Sequence, residues 1–85
     1  MKYTVVWLNP AQGHLATLWT EGPDRDAITR AANSMERLLG LNPFANSESR
    51  TGNSRITIIS PLAVAYDVSD DDRLVTVWAV WKTTK

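Results

Sequence analysis

The sequence predicts an α+β domain, a helical hairpin packed on one face of a four-stranded, largely antiparallel sheet, in the order β-α-α-β-β-β. Three observations carry this. The first run and three runs after residue 54 are rich in β-branched and aromatic residues. Residues 28–39 repeat apolar side chains at helical spacing. Turn-forming residues separate the runs where a chain must reverse.

The elements follow in order. "KYTVVWLN" sets Tyr3, Val5 and Trp7 against Thr4, Val6 and Leu8, apolar on both faces, as expected of a central strand. Asn9-Pro10 opens a short helix as N-cap and first-turn proline, with Ala11, Leu15, Leu18 and Trp19 as its inward stripe and Gly13 weakening it. Gly22-Pro23 breaks it, and Asp24 and Asp26 suit the start of a second helix. There Ile28, Ala31, Ala32, Met35, Leu38 and Leu39 make one buried face. Gly40 is expected to end it as a left-handed cap, with Pro43 preventing resumption.

The polar stretch 42–54 reads as a connecting loop with Phe44 folded back as an anchor. "RITIIS" is the next strand, stopped or bent by Pro61. "LAVAYDV" and "RLVTVWAVW" form a hairpin around "SDDD". Strict alternation puts Leu62, Val64, Tyr66 and Val68 on one face of the first arm. It groups Leu74, Thr76, Trp78 and Val80 in the second, against Val75, Val77, Ala79 and Trp81. Val64, Tyr66, Trp78 and Val80 are the expected core of the hairpin.

With 85 residues the chain makes a single domain, 1–85, which buries only about 60% of its unfolded surface. Hydrophobic content of 44% against 21% charge argues for a globular fold over disorder. The absence of cysteine excludes a disulfide framework and thiol chemistry. No apolar stretch reaches the roughly 18 residues of a membrane span, and the first residues are too short for a signal peptide, so a cytoplasmic location without membrane partners is expected.

Nine basic and nine acidic residues give zero net charge, which does not favour broad nucleic-acid affinity. The charges are unevenly placed. Arg50 and Arg55 share one stretch, Lys82 and Lys85 close the sequence, and Asp67, Asp70, Asp71 and Asp72 form an acidic block. Such clusters are more often solvated loops and tails than sites.

His14, the lone histidine, has no partner at metal-ligand spacing and reads as a surface helix residue. Asp70 to Asp72 read as turn caps before they read as paired catalytic carboxylates. Aromatic platforms can stack bases, but Trp7 and Trp19 lie on core-facing patterns. Trp81, beside Lys82, is the candidate for an exposed aromatic. Neither a Gly-rich phosphate loop nor a Ser/His/Asp arrangement is present.

Four stretches, "YTVVWLNPAQGHLATLW", "RDAITRAANSMERLLGLNP", "GNSRITIISPLAVAYDV" and "DRLVTVWAV", taken in order, resemble the RelE/ParE superfamily of bacterial toxins from type II toxin–antitoxin modules, which includes plasmid stabilisation proteins. In that family a first strand leads into a helical hairpin ending in an "L..NP"-like turn. An arginine then opens a strand, and a "PL.V.Y.V" arm pairs with a last strand reading "V.V..V". The resemblance covers nearly the whole chain.

The resemblance implies a toxin acting on translation, by ribosome-dependent cleavage of messenger RNA, or on DNA gyrase, and neutralised by a cognate antitoxin. The alternative it leaves is a catalytically degenerate member serving as a binding module. Cleavage in this family needs no metal or other cofactor, and none is expected here. It needs a base for the 2′-OH, cations for the charge at phosphorus and an acid for the leaving oxygen. Carried over by position, Arg55 and Lys82 become the candidate catalytic cations. Arg50, Arg73, Tyr66, Trp81 and Lys85 become candidates for target binding.

Nuclease relatives often have an arginine three residues before the hairpin tyrosine, where this sequence has Ala63 ahead of Tyr66. They commonly end in a His-Arg pair followed by a tyrosine, where this sequence has Trp81, Lys82 and Thr83. Weak or absent cleavage of messenger RNA is therefore expected.

Overall fold

The computed structural model describes residues 2–44, 47–49 and 54–83. The order is β1 (Thr4–Trp7), α1 (Asn9–Glu21), α2 (Arg25–Leu41), β2 (Ser47–Ser49), β3 (Ser54–Ile59), β4 (Leu62–Ser69) and β5 (Leu74–Lys82). One sheet contains all five strands in the spatial order β1-β5-β4-β3-β2. The four expected strands are present. The fifth, β2, is a short edge strand within the stretch read as a loop, paired antiparallel to β3 with Ser47 opposite Thr57 and Ser49 opposite Arg55.

β1 pairs with β5 in parallel, Thr4 beside Leu74 and Trp7 beside Val77. A parallel neighbour needs a crossover, and the helical hairpin supplies it. β3, β4 and β5 form the antiparallel remainder, with Ile59 opposite Leu62 across the Ser60–Pro61 turn, whose peptide bond is cis.

The core lies between the hairpin and one sheet face. Ala11 of α1 and Ile28, Ala31, Met35 and Leu39 of α2 meet Leu62, Val64, Tyr66 and Val68 of β4 and Val75, Val77 and Val80 of β5. Each large side chain buried there is worth about 1.5–3 kcal/mol. Tyr3, Val5, Trp7, Leu15, Leu18 and Ile59 pack around this cluster.

Five expectations are corrected. β1 is an edge strand, paired only with β5, and not a central one. Leu8 is the N-cap of α1, and Asn9 is already its first helical residue. Gly40 does not cap α2, which runs on to Leu41 with Asn42 as C-cap, its N–H donating to the Leu38 carbonyl at 2.8 Å. Gly40 instead lets β1 approach. Its carbonyl accepts the Tyr3 N–H at 2.7 Å, and a side chain there would meet the Tyr3 carbonyl at 3.4 Å.

Trp19 is not in the core. It is 42% exposed, with its indole N–H donating to Thr29 Oγ1 at 3.0 Å and the Arg25 guanidinium 4.9 Å over its ring. Ala11, Leu15 and Leu18 already fill the stripe facing β5. The bulkier indole spans the seam between the helices.

Trp78 is also outside the core, because β5 does not alternate strictly. Tyr66 pairs with Val77 and Ala65 with Ala79, which leaves Trp78 as the extra residue of a β-bulge. The bulge shifts the phase by one. Val80 therefore joins Val75 and Val77 on the helix side, while Ala79 and Trp81 turn to the opposite face.

Candidate functional site

The candidate residues are dispersed. Arg55 opens β3 opposite Tyr66, on the helix-covered face, with its guanidinium 5.2 Å over the Phe44 ring. Lys82 ends β5 opposite Leu62, at the other end of β4. The two pairing points are four residue steps apart on β4, about 13 Å along the strand, so the two candidate catalytic cations do not converge on one reacting atom. Lys82 Nζ is 3.1 Å from Asp24 Oδ2 at the tip of the helical hairpin, and this hydrogen-bonded ion pair holds the Asp24 carboxyl below its usual range.

Tyr66, a candidate for target binding, has its side chain in the core. It is fully buried, and its hydroxyl donates to the Pro43 carbonyl at 2.5 Å. It therefore ties the turn after α2 to the sheet. Arg73 sits in the β4–β5 turn at φ +52°. Its guanidinium lies 5.4 Å over the Tyr3 ring, donates to the Tyr3 hydroxyl at 3.3 Å and stands 3.9 Å from Asp70. Tyr3 in turn donates to the Asp70 carboxylate, which holds the phenol above its ordinary pKa. Arg50 and Lys85 lie outside the described residues.

Trp81 is where an exposed aromatic was expected, 37% accessible. Its register places it opposite Ala63, on the sheet face away from the helices. That open face is the feature the sequence pattern obscured. Across it, Ile58, Ala63 and Trp81 are consecutive partners, and Ile56, Ala65 and Ala79 form the next row with Trp78 beside them.

Ala63 and Ala65 are buried although no helix covers them, because larger neighbours flank them. The result is an apolar strip along β4, with alanine at its centre, Ile58 (62% exposed) on one side and Trp78 (45%) and Trp81 on the other. Val6 and Leu8 extend the apolar surface over β1, where the Leu8 N–H continues the ladder to the Val77 carbonyl at 3.0 Å.

No lysine, arginine or histidine of β1, β3, β4 or β5 lies on this face. The charged residue that those four strands place on it is Asp67, opposite Ser54 and Thr76 and accepting the Ser54 hydroxyl at 2.6 Å, and by register Glu48 of β2 pairs with Ile56 of the same face. Such a surface binds by burial. Its described strands offer no cation for the charge that develops at phosphorus. Among the described residues no group of histidines and carboxylates is arranged to hold a metal, and no helix is long and apolar enough to cross a membrane.

No protein-family model matches the chain, and no curated protein matches its sequence. Solved structures do match its fold. A chain of the toxin–antitoxin complex RelBE2 from Mycobacterium tuberculosis superposes with a TM-score of 0.77 at 19% identity, over 96% of this chain and 99% of that one. The RelE–RelB complex from Pyrococcus horikoshii gives 0.75 at 15% identity, over 100% and 99%. The isolated RelE toxin of Escherichia coli gives 0.69 at 17% identity, over 98% and 86%. From its first strand to its last, the chain has the fold of the RelE toxins.

Proposed function

We propose that this chain is the toxin of a type II toxin–antitoxin module, neutralised by a cognate antitoxin. We propose further that it acts on its target by binding, without efficient cleavage of messenger RNA. Coverage of nearly the whole chain by RelE structures, two of them solved with RelB, supports the toxin role and the antitoxin partner. One observation carries the mode of action. Ala63, at the position the resemblance assigns to an arginine, lies between Ile58 and Trp81 on a face whose described strands carry no cation. Loss of one transition-state donor of this kind costs about 2.7–4 kcal/mol in barrier.

The target is then DNA gyrase or a component of the translation machinery, met by a surface. Induced expression in bacteria, with and without the neighbouring reading frame, tests the toxin role. Growth arrest relieved by the neighbour is the expected result, together with recovery of a stable complex on purification. Unimpaired growth in both arms contradicts toxicity and leaves the degenerate binding module as the reading.

A further inference from the structure

On the helix side of the sheet, α2 does not close against β3 along its whole length. Between them lies an apolar cleft of about 620 Å³, lined by Met35, Leu38, Leu39 and Leu41 of α2 and by Ile59 of β3. Leu38 and Leu41 are 39% and 52% exposed, so a ligand can reach it from solvent and gain by covering them. Asn42, at the same end, already uses its Oδ1 to accept the Phe44 N–H at 3.1 Å.

A second cleft of about 520 Å³ adjoins the first along the seam. Ile59 lines both, and Ala31 and Ser34 stand one turn of α2 before Met35 and Leu38. Here the lining is polar and positive. Arg30, Ser34 and Ser60 take part in it, and no acidic residue does. Among the described residues none of these three side chains has a hydrogen-bond or ion-pair partner. Asp26, one turn before Arg30, therefore does not neutralise it by pairing.

The seam is thus apolar from Met35 to Leu41 and cationic at Arg30. Arg30 and Leu38 are eight residue steps apart on α2, about 12 Å, which is the reach of a medium-chain acyl group. A guanidinium presents two parallel N–H donors that match a carboxylate, and the serine hydroxyls can add more. Met35 is unbranched and can adapt its shape to an alkyl chain. A phosphodiester chain would leave the apolar cleft unfilled, and a cationic amphiphile would meet Arg30 with like charge.

We propose that the seam between α2 and β3 binds a single medium-chain aliphatic carboxylate. Its chain lies among Met35, Leu38, Leu41 and Ile59, and its head group meets Arg30, Ser34 and Ser60. The site stands on this geometry and is independent of the toxin reading. A ligand that binds both elements in the folded chain alone must also stabilise the fold.

The test uses the full chain, ¹⁵N-labelled, with decanoate, hexanoate, acetate and decyltrimethylammonium as probes, each below its micelle-forming concentration. Decanoate is expected to shift the amides of Ser34, Leu38 and Ile59 in a saturable way and to raise the thermal midpoint. Each methylene between hexanoate and decanoate should strengthen binding about threefold to fourfold, and acetate should not bind measurably. Decyltrimethylammonium should bind at least about tenfold more weakly than decanoate.

Arg30→Gln should weaken decanoate about tenfold and remove its advantage over the cationic probe, while Arg30→Lys should retain part of it. Lys2→Gln makes the same change in net charge away from the seam and should leave affinity unchanged. Leu41→Ser replaces an exposed side chain, should fold, and should weaken decanoate about fivefold.

Equal affinity for decanoate and the cationic probe, unchanged affinity in Arg30→Gln, or shifts centred on Ala63 and Trp81 overturns the proposal. Binding to anionic phospholipid vesicles with free decanoate left unbound overturns it too, since the seam would then be a membrane contact. So does a concentration-dependent dimer that Leu41→Ser abolishes and decanoate does not displace, which would put a second copy there.

Discussion

Tyr66 shows how a residue shared with a family motif acquires a structural role. Its ring fills the space between α2 and the sheet, and its hydroxyl satisfies the Pro43 carbonyl. Tyr66→Phe keeps the ring and leaves that carbonyl without its donor, which should cost about 1–3 kcal/mol of stability. Denaturant unfolding of the two proteins measures it. A loss below a few tenths of a kcal/mol would mean that water replaces the hydroxyl.

Lys82 illustrates a second kind of commitment, because its ion pair with Asp24 joins the hairpin tip to the end of β5. The Asp24 carboxyl is held below its ordinary value, chiefly by the hydrogen bond from Lys82. A group whose folded pKa is depressed contributes stability above its unfolded pKa and loses it as pH falls through the folded value. The stability difference between wild type and Lys82→Met should therefore be full above pH 5 and shrink below about pH 4. Both partners are about one-third exposed, so the difference is modest at any pH and smaller in high salt. An unchanged difference at pH 3 would show that Lys82 contributes by packing.

At the scale of the element, the bulge in β5 decides which residues meet the core and which meet a partner. Val75 and Val77 face the helices. The extra residue at Trp78 then brings Val80 inward, while Trp81 turns outward opposite Ala63. Strict alternation would have placed Trp78 and Val80 together. Their substitutions should therefore behave differently. Val80→Ala removes two methyls from a closed site and should cost about 1.5–3 kcal/mol. Trp78→Ala removes a half-exposed ring outside the core and should cost less than about 1 kcal/mol. Thermal unfolding of the pair distinguishes the two registers, and equal losses would mean that the bulge is absent in solution.

The same element marks how far the sequence alone could be read. Helical spacing in 28–39 and runs of β-branched residues locate α2 and four strands, because burial on one face imposes a period. A bulge leaves no such trace, since one inserted residue changes no composition. Gly40 misleads for a related reason. Glycine fits a left-handed cap and also a close backbone approach, and only the position of β1 distinguishes them. β2 was invisible in a polar stretch because three paired residues follow no hydrophobic pattern.

For the whole molecule, zero net charge coexists with an acidic turn at one end and an apolar face that the hairpin does not cover. The missing arginine at Ala63 was legible in the sequence. The consequence was not, since Ile58, Ala63 and Trp81 lie on three different strands and become neighbours only through pairing. Likewise Arg55 and Lys82 look like one cationic set in sequence, whereas their partners on β4, Tyr66 and Leu62, stand four residues apart on strands that flank β4 from opposite sides.

On the proposed function, the chain should arrest growth through occupancy, with an effect that follows its concentration and is relieved by the neighbouring gene product. Primer extension on ribosome-bound messenger RNA in a purified translation system, with the protein added at stoichiometric excess, tests this most directly. Intact message at every codon is the predicted result, whether or not translation slows. Efficient cleavage within the ribosomal A site would contradict the account, since it would require cations that the described strands of the open face lack.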